Sequence, residues 1–368
     1  MSLVRPQDLI LTFEDDGRIL VKSPSRNVGV KAPPPVAAIL SACTQPQTRA
    51  SIEQLVGPWA GPLYDALANA GLLVAPDEAD DTPVMFHNYS GIEVHRRMLQ
   101  DDVRLKGYWD GLQAVIKPGD VVIDAGSGSG VLAIMAALCG AKKVYALEQS
   151  EFARSIPSVA KASGVEDIVE VVQGDFSKVR LPEKADVLVT ETFGAWCYAE
   201  DPCPDVSKCV KNNVKETGLV IPYAIRMWIA PMAQCPKPLL EPFRVYDTGV
   251  NLTPLLGDAR GRGHIMSPSP KEVGVPHELG VYAFPSHWPI ESTFTLDAPC
   301  DALCVWYDLM MAEGVTLPTG PNDPLTHWKQ SVLPVALSKG NHHITIGPAP
   351  EDRRTLLVHI DGRDVRLR

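Results

Sequence analysis

The chain is predicted to hold three folded parts. A small winged-helix-like α+β module comes first, then an α/β Rossmann-like domain with a parallel sheet, then a C-terminal antiparallel β-barrel-like domain. Three observations point there. At 368 residues the chain is longer than one core usually fills. From about residue 85 to 225 apolar β-type runs alternate with helical stretches, the pattern of a parallel sheet with crossover helices. After Pro222 the pattern becomes short β-like pieces broken by Gly and Pro.

Taken in order, LILTF, GRILVKS and NVGVK read as short strands. PPVAAILSAC, TRASIEQLVG and GPLYDALANAG read as three short helices, the last with Leu63, Ala66, Leu67 and Ala70 on one face and Gly71 as its stop. The acidic, proline-bearing stretch 75–83 has no periodic apolar face and marks a linker, so the first module is set at 1–78. VVIDAG, VLAIMAALCG, KVYALEQ, EFARSIPSVAKASG, VEVVQGD and ADVLVTET form the alternating domain, 84–224. RMWIAPM, ESTFTLD, LCVWYDLMM, SVLPVAL, HHITIGP and TLLVHIDG supply the strands of the last domain, 225–368. The stretch 233–290 is rich in Pro and Gly and takes no assignment.

Composition narrows the function classes. With 45% hydrophobic and 21% charged residues the chain is globular, which excludes a coiled coil, a collagen-like fibre and a disordered protein. A net charge of -10 opposes binding to phosphate backbones and anionic membranes, and the N-terminal module, counted through Asp80, has six basic against nine acidic residues. Neither nucleic acid nor membrane is therefore expected as a partner. The longest apolar run, VLAIMAAL at 131–138, is far short of a membrane span. Eight cysteines form no CxxC pair, and the start lacks a signal peptide's apolar core, so a reduced cytoplasmic setting is expected. His342 and His343 are adjacent on a strand and point to opposite faces, so no metal is assigned.

Chemistry concentrates at strand ends. Asp124-Ala125-Gly126-Ser127-Gly128-Ser129-Gly130 runs a buried strand through a glycine loop into a helix, which lets backbone approach a ligand closely. A dinucleotide site reads GxGxxG and sets its pyrophosphate on the helix N-terminus, whereas here the glycines run GxGxG beside an acid. Asp124 repels a pyrophosphate and suits a cation. Glu148 closes the next strand, where an acid can accept both ribose hydroxyls of a nucleoside, and Asp175 with Phe176 follows the strand after that, near an adenine edge. S-adenosylmethionine, with a sulfonium, an ammonium and a ribose but no phosphate, fits this set; a nicotinamide oxidoreductase is the weaker alternative.

After the strand ADVLVT comes a loop with Glu191 and Glu200 at its ends and Phe193, Trp196 and Tyr198 between them. If it doubles back, two carboxylates face one aromatic-walled pocket, a match for the forked donors of a guanidinium. This loop resembles the signature of the protein arginine methyltransferases, two glutamates nine positions apart, and the resemblance extends over about 85–345. Tyr89, then His95-Arg96-Arg97-Met98-Leu99 and Asp101-Asp102-Val103-Arg104, is similar to the family's N-terminal helical segment, and Thr326-His327-Trp328 to its Thr-His-Trp loop. The resemblance implies that Arg104 holds the cofactor's methionine carboxylate, that Phe86, Tyr89, His95 and Met98 line its pocket, that His327 pairs with Asp101, and that Trp328 joins Trp196 and Tyr198 in walling the substrate channel. It also implies a homodimer, although 233–262 holds Pro236, Pro238, Pro242 and Pro254 where the family inserts a dimerisation arm.

Departures fall on the substrate side. Thr192 stands where the family usually has Trp, Asp201-Pro202 follows Glu200, and Ser177 stands where an adenine-contacting Glu is usual. The expected activity is thus methyl transfer from S-adenosylmethionine to an arginine guanidinium, in a peptide precursor. The alternatives are a methyltransferase for another amine, a carboxylate or a small-molecule acceptor of a natural-product pathway, and a cofactor-binding scaffold without turnover. The order of strands and helices in 1–78 is similar to the peptide-recognition modules of ribosomal natural-product pathways, which capture a leader as an added strand.

Overall fold

A computed structural model describes residues 2–6, 9–14, 16–23, 28–76, 92–194, 196–198, 201–240, 250–256, 260–285, 289–350 and 352–367. The chain divides into two compact units, Met1–His95 and Arg96–Arg368. The parallel-sheet and β-barrel-like segments, read from the sequence as 84–224 and 225–368, share the second.

In the first unit β1 (Ile10–Phe13), β2 (Ile19–Ser23) and β3 (Val28–Ala32) form an antiparallel sheet in that order. Helices α1 (Val36–Ala42), α2 (Arg49–Val56) and α3 (Ala60–Asn69) follow. Thr48 opens α2 by accepting the Ser51 N–H on its hydroxyl, which satisfies one of the donors a helix start leaves unpaired. Ile19, Val21, Ile39, Ile52 and Leu67 are buried in a core belonging to this unit.

Helix α4 (Ile92–Leu99) spans the division, and α5 (Asp102–Val115) leads into the parallel sheet. The sheet comprises β4 (Val121–Ala125), β5 (Lys143–Glu148), β6 (Val169–Gln173), β7 (Ala185–Thr190) and β8 (Val214–Ile221), with α6 (Val131–Leu138), α7 (Ile156–Ala162) and α8 (Pro202–Asn213) between strands. Every neighbouring pair is parallel, in the order β6-β5-β4-β7-β8. Every residue of β4 is buried, Asp124 included, as a central strand covered on both faces requires. The chain winds outward from β4 to β6 and then returns to the other side at β7. That reversal opens a crevice at the carboxyl ends of β4 and β7, where such sheets bind ligands.

The last part contains β9 (Ala224–Met232), β10 (His264–Met266), β11 (His277–Ala283), β12 (Ile290–Leu296), β13 (Ala302–Ala312), β14 (Val315–Leu317), β15 (Gln330–Leu333), β16 (Gly340–Ala349), β17 (Asp352–Ile360) and β18 (Arg363–Leu367). One sheet runs β10-β15-β13-β9-β11 with β14 paired to β13, and the other β12-β16-β17-β18. Their apolar faces join the core of the parallel sheet, so that Ile123, Val189, Met227, Tyr307, Ile346 and Val358 belong to one buried cluster. Helix α5 lies flush on β13 and β14 because two of its residues have no side chain. A Cβ on Gly111 would stand 2.7 Å from Met311 Cβ, and one on Gly107 2.9 Å from Leu317 Cδ1. Among the described residues no helix is long and apolar enough to cross a membrane.

The β17–β18 turn is clamped by charge. Asp361 sits in the left-handed region (φ +47°) and takes His342 Nδ1 at 2.5 Å and the His343 N–H at 3.1 Å, while His342 Nε2 reaches the Ser338 carbonyl at 2.8 Å. Both ring nitrogens of His342 thus lie within hydrogen-bond distance of an acceptor. The bond from His342 holds the Asp361 carboxyl below its ordinary value. A lowered carboxyl contributes stability above the usual carboxylate range and loses it as pH falls through the lowered value. Asp361→Asn, which keeps the tolerance for left-handed backbone, should cost about 1 kcal/mol, since the carboxylate is partly solvated. Thermal melts at neutral pH should show a loss of a few degrees, and the difference should vanish in acid.

Candidate active site

Gly126, Gly128 and Gly130 have φ of +80°, +52° and +81°, so the turn from β4 into α6 uses backbone that side chains rarely adopt. The Gly126 and Ser127 N–H groups both donate to the Leu147 carbonyl at 3.0 Å. This pins the loop to the end of β5, beside Glu148. Glu148 Oε2 accepts the Gly128 N–H and Oε1 the Ser150 N–H, each at 2.7 Å. Each oxygen keeps a lone pair for a further donor, as a ribose diol requires. The Phe176 ring lies 3.8 Å from where a Cβ on Gly126 would be. Burial pushes the Asp175 carboxyl up, but bonds from the Ser177 hydroxyl and N–H and from Lys178 outweigh it and hold the group below its ordinary value.

Asp124 is fully buried. Its Oδ2 accepts the Ala133 N–H at 2.9 Å, while Oδ1 has no hydrogen-bond partner. Burial pushes this carboxyl up to about 7, and the charges of Glu148 and Glu191 add to the shift against the bonds from Ser127 and Ala133. An acid in this state is completed by a cation or by a donor from a ligand.

Across the crevice Arg104 and Glu191 form an ion pair at 2.8 Å, with side chains 3% and 10% exposed. A second arm of the guanidinium donates to the Met98 carbonyl at 2.7 Å, and buried Nε has no partner. Arg104 is in the first turn of α5, whose start Asp101 caps by accepting the Arg104 N–H at 2.9 Å. The other Asp101 oxygen takes the His327 N–H at 2.7 Å and lies 2.9 Å from His327 Nδ1. Desolvation raises the Asp101 carboxyl, yet the bonds from His327 and Arg104 prevail and lower it. The residues read from three separate motifs thus meet around one helix turn.

Trp196 and Tyr198, read from the sequence as pocket walls, are both buried in the large hydrophobic cluster, which also holds Phe193 and Trp328. Left-handed backbone at Trp196 (φ +44°) and Cys197 (φ +65°) turns the loop back on itself, and the Trp196 indole N–H donates to the Trp306 carbonyl on β13 at 3.0 Å. Trp328 is buried as well and donates to the Phe193 carbonyl at 3.0 Å, with its ring 4.7 Å from that of His327. His95 is buried, and Met98 contributes its carbonyl to Arg104. Phe86, Tyr89 and Glu200 lie outside the described residues. The sequence reading missed Tyr108, whose hydroxyl donates to the Thr190 carbonyl at 2.9 Å, and Thr190, whose hydroxyl donates to Ala125 O at 2.8 Å and so spans β7 and β4. Tyr108 lies one helical turn after Arg104, a spacing that could have revealed it.

Among the described residues no group of three or more His, Cys, Asp or Glu side chains could hold a metal. The raised Asp124 carboxyl destabilises the ligand-free chain as pH rises from the carboxylate range through about 7. At 1.36 kcal/mol per unit the loss is about 4 kcal/mol at most. Melts of the ligand-free protein should therefore show a lower transition at pH 8 than at pH 5, and Asp124→Asn should flatten that difference.

A family model described as ribosomal protein L11 methyltransferase (PrmA) matches residues 109–220. Over 169 residues the chain is 38% identical to protein arginine N-methyltransferase PRMT10 of Oryza sativa subsp. japonica, a match covering 45% of this chain and 44% of that relative, so the chain spans less than half the length of the relative. A longer match, 26% identical over 317 residues, covers 77% of this chain and 90% of protein arginine N-methyltransferase 6 of Danio rerio. Among solved structures, the PRMT1 enzyme-prozyme heterotetrameric complex of Trypanosoma brucei with AdoHcy aligns with a TM-score of 0.69 at 24% identity, over 76% of this chain and 99% of that one. Protein arginine methyltransferase 10 of Arabidopsis thaliana aligns with a TM-score of 0.65 at 23% identity, over 76% and 97%. The parallel sheet with its antiparallel β domain is the fold of these solved structures, and in sequence the chain is similar to protein arginine N-methyltransferases.

Proposed function

We propose that the protein is an S-adenosylmethionine-dependent N-methyltransferase acting on an arginine guanidinium. The observation that carries this is the buried Arg104–Glu191 pair facing a glycine loop flanked by Asp124 and Glu148, in a chain similar to arginine methyltransferases. Gly126, Gly128, Gly130, Glu148 and Arg104 would hold the cofactor, and the unmatched Asp124 Oδ1 and Arg104 Nε fit an ammonium and a carboxylate. When bound, S-adenosylmethionine supplies an electrophilic methyl group.

The chain's own part is positioning and charge. A guanidinium has a pKa of roughly 13, so making it neutral at pH 7 before reaction would cost about 8 kcal/mol. Glu191 and Glu200 instead hold the cation, draw its positive charge to the nitrogens they touch, and leave electron density on the nitrogen facing the methyl group. One of the two carboxylates takes the displaced proton as or after the methyl arrives. Arg104 keeps Glu191 oriented, and Asp101 with His327 fixes the helix start that presents Arg104.

The acceptor is read as a peptide precursor, because the N-terminal unit has its own core and a three-stranded sheet whose β1 and β3 are edges that an extended segment could join. We also read the protein as a homodimer in the cytoplasm; its net charge is -10, and its eight cysteines are free thiols.

Incubation with labelled S-adenosylmethionine and arginine peptides, with mass spectrometry of the product, tests the activity directly. Transfer to a different amine or a carboxylate would replace the acceptor reading. Glu191→Gln and Glu200→Gln should each lower kcat at least a hundredfold at saturating cofactor. Glu191→Gln should also destabilise the ligand-free protein by about 3 kcal/mol, because the buried Arg104 cation loses its counter-charge, and cofactor should restore much of this. Removing residues 1–78 should raise the apparent KM for a long precursor peptide while sparing a short one; equal losses on both would make the module a structural cap.

A further inference from the structure

The far limb of the acid loop ends in a strained residue that a cation from the β domain faces. Asp201 follows Glu200 in sequence, has left-handed backbone (φ +47°, ψ +58°) and donates its N–H to the Tyr198 carbonyl at 2.8 Å. It is not a glycine, so this conformation persists only if its surroundings over-determine it. Its side chain is 4% exposed, and a carboxylate so desolvated requires compensating charge. Arg353, near the start of β17, stands with Nε 3.9 Å from Asp201 Oδ2 and donates from its terminal nitrogen to Asp205 Oδ2 at 2.8 Å. The guanidinium fork therefore spans the residue before α8 and the first turn of that helix. The Ser207 hydroxyl adds a second tie, donating to the Pro285 carbonyl at 3.1 Å.

We infer that Arg353 is a positioning residue for the second acid of the loop. It acts through Asp201, the left-handed residue that follows Glu200 in sequence, and it is assigned to neither acceptor nor cofactor. An arginine suits the task because its planar fork reaches two carboxylates in fixed directions, which the single point charge of a lysine does not. Methionine or another neutral residue at 353 would leave Asp201 and Asp205 in mutual repulsion at the helix start. The role at Glu200 rests on the two-acid mechanism proposed above; the clamp itself rests on the geometry alone.

The test uses the full chain with Arg353→Gln and Arg353→Lys, and Asp205→Asn as the approach from the other partner. Three quantities are measured: kcat and KM on an arginine peptide, the Kd for S-adenosylmethionine by calorimetry, and amide hydrogen exchange across 196–206. Arg353→Gln should lower kcat at least tenfold and leave the cofactor Kd within twofold of wild type. Exchange over 196–206 should quicken about tenfold with β4 and β7 unchanged, and Arg353→Lys should be intermediate on both scales. If Arg353→Gln does not fold, Asp205→Asn and Arg353→Lys carry the same expectations in weaker form. Turnover within twofold of wild type would overturn the role at Glu200, and unchanged exchange would overturn the clamp. Should wild type transfer no methyl group to arginine, the two-acid mechanism fails, while the exchange data still decide whether Arg353 holds the loop.

Discussion

Arg104 and Glu191 bring together pieces of chain that nothing local connects: the first turn of α5, the end of β7 and, through Asp101, the Thr-His-Trp loop. Buried ion pairs add little net stability, because desolvating two charges offsets most of their attraction, yet losing one partner is severe. The pair therefore specifies an arrangement more than it stabilises a fold. Its unpartnered Nε and the raised Asp124 carboxyl across the crevice are two unmet demands of opposite sign. A zwitterionic ligand meets both at once, which makes the site selective before any shape is considered.

The acid loop is held by both halves of the second unit. Trp196 donates to a β13 carbonyl, Trp328 donates back to the Phe193 carbonyl, and the Phe193 ring meets Phe284 edge-on with centroids 5.1 Å apart. Left-handed non-glycine residues gather in these loops, at Trp196, Cys197, Asp201 and Lys329. Such conformations survive where the surroundings leave no alternative, and the Trp196 and Trp328 indole hydrogen bonds tie their own residues in place. The described residues of this loop are thereby tied to the β domain by side-chain hydrogen bonds and ring packing.

The sequence made the parallel sheet legible because β4 and β7 are mostly apolar β-type runs and the glycines between β4 and α6 have few other uses. The first unit was legible for a similar reason: each strand and helix carries its own period and its own stop. Three things were not legible. The pairings that set β9 beside both β11 and β13 join segments far apart in sequence, and no local spacing encodes them. Trp196 and Tyr198 read as pocket walls because aromatics between two acids suggest a cage, whereas the backbone turn that sends them inward is a conformational fact invisible to composition. Arg353 was overlooked because its partners lie about 150 positions upstream and its neighbours on β17 follow an ordinary strand pattern.

The glycine pair on α5 has a mechanical consequence. Gly111 meets Met311 with no room for a methyl group, and Arg104 sits seven residues nearer the helix start, about 10 Å along the axis at 1.5 Å per residue. The contact works as a fulcrum. Thickening it by one carbon, or exchanging Met311 for a slimmer residue, would rock the helix and swing its first turn, moving Arg104 and the cap at Asp101 together. The position of Arg104 can thus be retuned by substitutions that touch neither Arg104 nor Glu191.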